Sequence, residues 1–191
     1  MPFETTPIPG LLVFRPKVFE DNRGYFFESY NEQVFREQGI NIRFVQDNQS
    51  QSVYGVIRGL HYQKSPHAQC KLVRVLEGEI LDVAVDIRKG SPTYGQQFSI
   101  VLSAENKLQL FIPEGFAHGF SVISPRAAVL YKCNRFYNKE SEGGILFNDP
   151  ELGIDWQVPA DEQLISDKDQ VLPLFASHQS NFEYTADGSY A

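Results

Sequence analysis

The sequence predicts an all-β protein of the sandwich or jelly-roll type. β-branched and aromatic residues dominate, turn signals recur at short intervals, and no long helical period runs between residues 40 and 137. A chain of 191 residues can bury one sizeable core and is too short for two comfortable ones. No internal repeat, low-complexity tract or linker divides it, so residues 1–191 are expected to form one domain.

Taken in order, "VFRPKVFED" and "RGYFFESY" read as early strands. The strand before Arg23 has no evident hairpin mate, so the N-terminal region and the C-terminal tail are expected at a contact with a partner. "NEQVFREQG" reads as a short helix that Asn31 caps and Gly39 ends. "CKLVRVLEGEILDVAVDIR" then reads as a hairpin turning at Glu77-Gly78, and "QQFSIVLSAENKLQLFIP" as a second turning near Glu105-Asn106. "AAVLYKCNRFY" adds a strand, and the tail beyond Asn148 holds a short helix candidate around Asp161–Ile165.

With 42% hydrophobic and 21% charged residues the composition is that of an ordinary globular protein. The net charge is −7 and no Lys/Arg cluster stands out, which argues against nucleic-acid binding. It leaves room for a small anion, because a few arginines in one pocket can hold a diphosphate. "MPFETTPIPG" lacks the basic and apolar regions of a signal peptide, and no apolar stretch approaches the ~18 residues of a membrane span. Cys70 and Cys133 read as buried free thiols, and the protein is expected in the cytoplasm without a membrane partner.

"GVIRGLHYQKSPHAQCKLVRV" places His61 in a strand-like run near Arg58 and Lys71. Metal-binding jelly rolls commonly present two histidines two residues apart, and here Gln63 occupies the second position. His118, in "PEGFAHGF", is a second candidate ligand, but His61 and His118 alone do not make a good site, and His67 and His178 sit in loop-like contexts, so no metal is expected. A neutral imidazole oriented by a carboxylate can serve as a general base near pH 7. Asp169 in "SDKDQVLPL" and Asp82 are both eligible partners, and an ordinary core or rim histidine remains the competing reading.

Pairing about Glu77-Gly78 would put Lys71, Val73, Asp82, Ala84 and Asp86 on one face and Leu81, Val83, Val85 and Ile87 on the other, a core face. The first face either meets solvent or lines a polar cavity. Arg58 and His61 differ by three positions, so a regular strand would point them apart. Either a bulge at Gly59 re-aims one, or Arg58 serves a rim or subunit interface. Tyr131 and Tyr137 share parity if their strand is continuous. Such tyrosines can donate a proton or stack on a base, or simply be half-buried strand residues.

Together, "DNRGYFFESY", "FVQDNQSQS", "IRGLHYQ", "KLVRVLEGEILDVAVDIRKGSPTYG", "IPEGFAHGF", "LYKCNRFYNKESEGGI" and "ISDKDQVLPL" resemble the dTDP-4-dehydrorhamnose 3,5-epimerase family, in family order over nearly all of residues 10 to 175. The resemblance implies a cupin-type double-stranded jelly roll with short peripheral helices, a homodimer that exchanges N-terminal strands, and neither metal nor organic cofactor. It implies epimerisation at C3 and C5 of dTDP-4-dehydro-6-deoxy-D-glucose, giving dTDP-4-dehydro-L-rhamnose for dTDP-L-rhamnose biosynthesis. By the same resemblance His61 is the base, Asp169 its partner, Tyr131 the proton donor, and Lys71 the neighbour of the ketone oxygen. Nucleotide and sugar contacts map onto Arg23, Glu28, Gln46, Asn48, Arg58, His118, Glu142 and Lys168, with Tyr137 stacking on thymine and Phe26 a further aromatic contact. Many relatives carry proline where this chain has Lys139, a departure that touches loop shape. An epimerase acting at C3 alone is the nearest alternative; a metal-dependent cupin enzyme and a non-catalytic sugar-binding module are more distant ones.

Overall fold

Strand-forming residues fill most of the chain, and the computed structural model, which describes residues 2–186, turns them into two facing sheets. The strands in chain order are β1 (Phe3–Thr5), β2 (Leu12–Phe14), β3 (Phe19–Asp21), β4 (Gly24–Phe26), β5 (Gln46–Val53), β6 (Val56–Gln63), β7 (Lys71–Glu77), β8 (Glu79–Asp86), β9 (Gln97–Ser103), β10 (Gln109–Ile112), β11 (Phe116–Val122), β12 (Arg126–Cys133), β13 (Glu142–Gly144) and β14 (Leu164–Ile165). The first sheet runs β1-β2-β10-β7-β12-β5. The second runs β13-β6-β11-β8-β9, with β14 added in parallel to β6. Two short helices, α1 (Glu32–Glu37) and α2 (Asp167–Gln170), lie outside the sheets. This is the all-β architecture the sequence predicts, and no helix among the described residues is long and apolar enough to cross a membrane.

Alternation along the strands builds three apolar layers. Between the sheets, Val13, Val73, Leu110 and Val129 meet Ile80, Ala84, Phe116 and Phe120. Leu81, Val83 and Val85 project from the far side of the second sheet and are covered by Ile145, Phe147, Trp156 and Phe175. On the outer face of the first sheet, Phe35 and Ile40 cover Leu12, Phe14, Leu72 and Phe111. The helix carrying Phe35 forms where expected: the Asn31 side chain accepts the Gln33 N–H, and Gly39 follows at φ +90°.

Several expectations are corrected. β7 and β8 are not a hairpin. β7 lies between β10 and β12, and β8 between β11 and β9, so the chain changes sheet at Gly78. A Cβ on Gly78 would lie 2.0 Å from the Arg126 carbonyl oxygen, so the crossing is tight enough to resemble a turn. Parity within each strand holds, and Val73 and Ala84 both point into the core between the sheets, but their strands do not pair. The supposed hairpin at Glu105-Asn106 is likewise a crossing, since β9 pairs with β8 and β10 with β2 and β7. Around it, the Asn106 side chain accepts the Ser103 and Leu108 N–H groups.

In the tail, the helix starts at Asp167 and not at Asp161. Leu164 and Ile165 extend along β6, and the side chain of Ser166 caps the turn that follows. The strand before Arg23 does have a mate, since β3 pairs with β4, but the ribbon they form leaves Phe19 and Phe26 54% and 69% exposed. Met1 and residues 187–191, the extreme ends named as partner contacts, lie outside the described residues.

The parity conflict between Arg58 and His61 is resolved by a bulge. His61 lies opposite His118 and Arg58 opposite Phe120, so Gly59 and Leu60 together oppose Gly119. Gly59 sits at φ +125°, and a Cβ there would come within 2.6 Å of Gly119 Cα and 2.8 Å of the His118 oxygen. Gly59→Ala is therefore expected to lower stability by about 2 kcal/mol or more. Urea unfolding checks this, and a midpoint equal to that of the unmodified protein would show that the bulge tolerates a side chain.

Candidate active site

At one end of the sandwich the sheets part around a cleft of about 720 Å³. β6 sends Arg58 and His61 into it, β11 His118 and Phe120, β7 Lys71, β12 Tyr131, and β5 Asn48. The segment from β14 into α2 closes one wall with Ile165, Ser166, Lys168 and Asp169. Eight of the residues named from sequence thus line one cavity: Asn48, Arg58, His61, Lys71, His118, Tyr131, Lys168 and Asp169.

The two eligible aspartates take different histidines. His61 Nε2 lies 2.7 Å from Asp169 Oδ1, and His118 Nε2 lies 2.7 Å from Asp82 Oδ1. Asp169 is held from two sides: the Gly59 N–H reaches Oδ2 at 3.3 Å, and the Ser166 hydroxyl accepts the Asp169 N–H. Burial by itself would raise the Asp169 carboxyl. The hydrogen bond and charge of His61, with the bonds from Gly59 and Ser166, outweigh it and hold the group below the ordinary aspartate value. The His61 side chain stays 40% exposed, towards the cleft, whereas that of His118 is 7% exposed.

Lys71 and Tyr131 face these histidines from the first sheet. Lys71 Nζ lies 3.5 Å from His118 Nδ1 and 5.8 Å from the centroid of the Tyr131 ring. Burial lowers the Lys71 ammonium below its usual range, against the opposing pull of Cys133 and Asp82. Burial also raises the Tyr131 phenol, with Cys133 adding to the effect and Arg58 opposing it. The Arg58 Nε donates to the Ser52 hydroxyl at 3.1 Å, fixing the guanidinium at the cleft wall.

Towards the mouth, Gln46 donates to Asn48 at 2.9 Å and accepts the Tyr137 N–H at 3.0 Å. Lys168 donates to Glu142 at 2.8 Å, and burial together with the neighbouring Glu142 carboxylate raises the Tyr137 phenol. Tyr137 lies beyond the end of β12, so the shared parity with Tyr131 does not apply, and its ring is 55% exposed. Arg23, Phe26 and Glu28 stand apart from the cleft. Arg23 is paired with Asp21 at 2.6 Å, Phe26 is exposed on the ribbon, and Glu28 accepts from Asn31.

Gln63, where a second metal ligand would stand, is instead a clamp that donates to the His67 carbonyl and accepts the Asn138 N–H. His178 packs on the Phe175 ring. No metal-ligating cluster of His, Cys, Asp and Glu occurs among the described residues. Sequence reasoning left out Phe120 and Ser166. Phe120 shares strand parity with His118, and Ser166 ahead of "DKDQ" is a helix-cap signal, so both could have been found.

A family model described as dTDP-4-dehydrorhamnose 3,5-epimerase matches residues 5–177. The chain belongs to this family. It is 58% identical over 86% of its length to the dTDP-4-dehydrorhamnose 3,5-epimerase of Shigella flexneri, covering 90% of that protein. The crystal structure of the Legionella pneumophila dTDP-6-deoxy-D-glucose-3,5-epimerase in complex with dTDP-4-keto-L-rhamnose superposes with a TM-score of 0.92 at 48% identity, over 96% of this chain and 98% of the other. A 3'-monoepimerase from Streptomyces bikiniensis, solved with dTDP-quinovose, is more distant, at TM-score 0.84 and 32% identity over 90% of this chain and 87% of the other. The fold is accordingly the cupin-type jelly roll of the epimerases.

The lowered Asp169 carboxyl has a consequence for stability. Its folded value lies below the unfolded one of ~3.9, so the His61–Asp169 contact adds stability that is full above that pH and is lost as pH falls through the folded value. Unfolding temperatures of the native protein and Asp169→Asn, measured from pH 7 to pH 2, should converge at the acid end. A gap constant across the range would contradict the assignment.

Proposed function

We propose that this protein epimerises C3 and C5 of dTDP-4-dehydro-6-deoxy-D-glucose, giving dTDP-4-dehydro-L-rhamnose, the keto-sugar step of dTDP-L-rhamnose biosynthesis. The observation that carries the reading is a histidine–aspartate pair on one sheet facing a lysine and a tyrosine on the other across one cleft.

The C4 ketone acidifies the C–H bonds at C3 and C5. His61, with its charge balanced by Asp169, removes a proton, and the electron pair moves onto O4 as an enolate. The Lys71 ammonium stabilises the charge developing on O4, a contribution that is often the largest in such reactions. Tyr131 returns a proton to the opposite face of the same carbon, and solvent restores both side chains. A phenol raised by burial stays protonated and is still far more acidic than the carbon acid it reprotonates. No electrons are gained or lost overall, so the chemistry calls for no redox cofactor, and Lys71 fills the place a metal would take beside O4.

Arg58 and Lys168 supply positive charge for the diphosphate, Gln46, Asn48, His118 and Glu142 supply polar contacts, and Tyr137 offers a face to thymine. Arg23, Phe26 and Glu28 reach a site only from a neighbouring subunit, and we read the enzyme as a homodimer in which the exposed ribbon enters the partner's cleft. The apolar side chains of Phe19, Tyr25 and Phe26, left uncovered on that ribbon, support this reading. Two buried cysteines, neither of them in a disulfide, support a cytoplasmic location.

Incubation with dTDP-4-keto-6-deoxy-D-glucose in D₂O, followed by NMR, tests the reaction. Exchange at both C3 and C5 is expected, whereas exchange at C3 alone would identify a monoepimerase and none at all would refute epimerisation. His61→Ala should lose about 10²–10⁴-fold in kcat while dTDP binding persists, and wild-type turnover would remove His61 from the role of base. Tyr131→Phe should exchange protons better than it inverts configuration. For the dimer, a mixture of Arg23→Ala and His61→Ala chains should recover activity that neither variant shows alone, because half of each mixed dimer is then an intact site. A mixture no more active than its components would place Arg23 in its own chain's site or outside the site.

A further inference from the structure

Asp82 has no part in the reaction as described, yet it is a fully buried carboxylate beside the cleft. Oδ1 lies 2.7 Å from His118 Nε2, and Oδ2 is buried without a hydrogen-bond partner among the described residues. Burying a carboxylate with an unsatisfied oxygen is unfavourable. Replacing a buried ionic contact with neutral groups of similar volume is often harmless or stabilising. Packing alone therefore gives no reason for a carboxylate at this position, whereas the far side of the His118 ring, where Nδ1 faces Lys71 Nζ at 3.5 Å, does.

We propose that Asp82 is a positioning residue for Lys71, acting through His118: it holds the imidazole in the tautomer with Nε2–H and a bare Nδ1, and the bare nitrogen receives and aims the lysine ammonium. This rests on the reading of Lys71 as the cation beside O4. An ionised carboxylate has no hydrogen to give, so Nε2 must donate, and a neutral imidazole then has only a lone pair at Nδ1. Burial, reinforced by the charge of Lys71, lowers the His118 imidazolium against the opposing pull of Asp82, which favours the neutral ring. An ammonium carries three hydrogens, so Lys71 can spend one on Nδ1 and keep the others for an oxyanion. The opposite tautomer would set an N–H against the ammonium and turn it away.

Asp82 also acts on Lys71 by charge. The titratable and charged groups around the lysine are His118 and Asp82 on the second sheet, Tyr131 and Cys133 on β12, and Arg58 and His61 on β6, with Asp169 behind His61. Neutralising Asp82 removes a carboxylate that favours the protonated lysine, so Lys71 should lose its proton at lower pH.

The test is Asp82→Asn, whose amide can accept from or donate to Nε2 and so no longer dictates the tautomer. A fall in kcat of about tenfold or more is expected, by analogy with the loss when a carboxylate that orients a metal-ligating histidine is removed. The alkaline limb of the kcat–pH profile should move to lower pH, and the unfolding temperature should hold or rise. The second measurement is ¹⁵N NMR of the imidazoles. The chain has four histidines, so the His118 signals can be assigned by their loss in His118→Gln. In the native protein they should show a protonated Nε2 and a bare Nδ1, and in Asp82→Asn a different distribution.

A protonated Nδ1 in the native protein would overturn the proposal, and this arm does not depend on the variant folding. An unaltered kcat and pH profile in Asp82→Asn would also overturn it. So would a variant that is less stable but keeps the native pH profile, since Asp82 would then be structural. Full activity in Lys71→Ala would instead overturn the reading of Lys71 itself, and with it the purpose assigned to Asp82. Inactive Lys71→Ala beside normal Asp82→Asn would sink the proposal alone.

Discussion

β6 and β11 meet where neither has a side chain. A Cβ on Gly59 would lie 2.6 Å from Gly119 Cα, and one on Gly119 would lie 2.6 Å from the Arg58 oxygen. This contact admits one extra residue on β6, and the resulting bulge turns Arg58 and His61 towards the same cleft despite their odd spacing. It also leaves the Gly59 N–H free of the ladder to reach Asp169. His61, its partner Asp169 and Arg58 are thus arranged by one close backbone approach. A side chain at either glycine would disturb all three together.

Two histidine–aspartate pairs of equal length, 2.7 Å, flank the cleft and differ mainly in what covers them. The His61 side chain is 40% exposed and that of His118 only 7%. An imidazole open to the cavity can take up a proton and lose it again to solvent. One enclosed by protein is lowered by burial and serves better as a fixed acceptor than as a base. The same two residue types can therefore divide acid–base work from orientation through burial alone.

Strand positions, inward and outward parity and the Asn31-capped helix were legible in the sequence, because each depends on residues near one another in the chain. Sheet membership was not. A turn at Glu77-Gly78 and a crossing between sheets need the same glycine and the same flanking alternation, and only the distant strands β10, β11 and β12 decide between them. For the same reason Asp82 could be weighed as a partner of His61 but not assigned to His118, which joins it through the β8–β11 pairing. The site residues were legible mainly through resemblance to a family. Parity alone set Arg58 against His61 and extended β12 to Tyr137, and it could not see the bulge at Gly59 or the end of the strand at Cys133.

The sheet crossing at Gly78 is also what suits this fold to inversion. β6 belongs to the second sheet, and β7 and β12 to the first, so His61 approaches the cavity from one wall while Lys71 and Tyr131 approach from the other. An enolate is planar at the reacting carbon, and inversion requires that the proton leave one face and return to the opposite one. A ring lying between the sheets would present those faces to different walls, and no side chain would need to travel around it. Had β7 and β8 formed a hairpin, Lys71 would have stood in the same sheet as His118, with no opposing wall to work from. The crossover that defeats a local reading of the sequence is therefore the feature that sets Lys71 on the wall opposite His118.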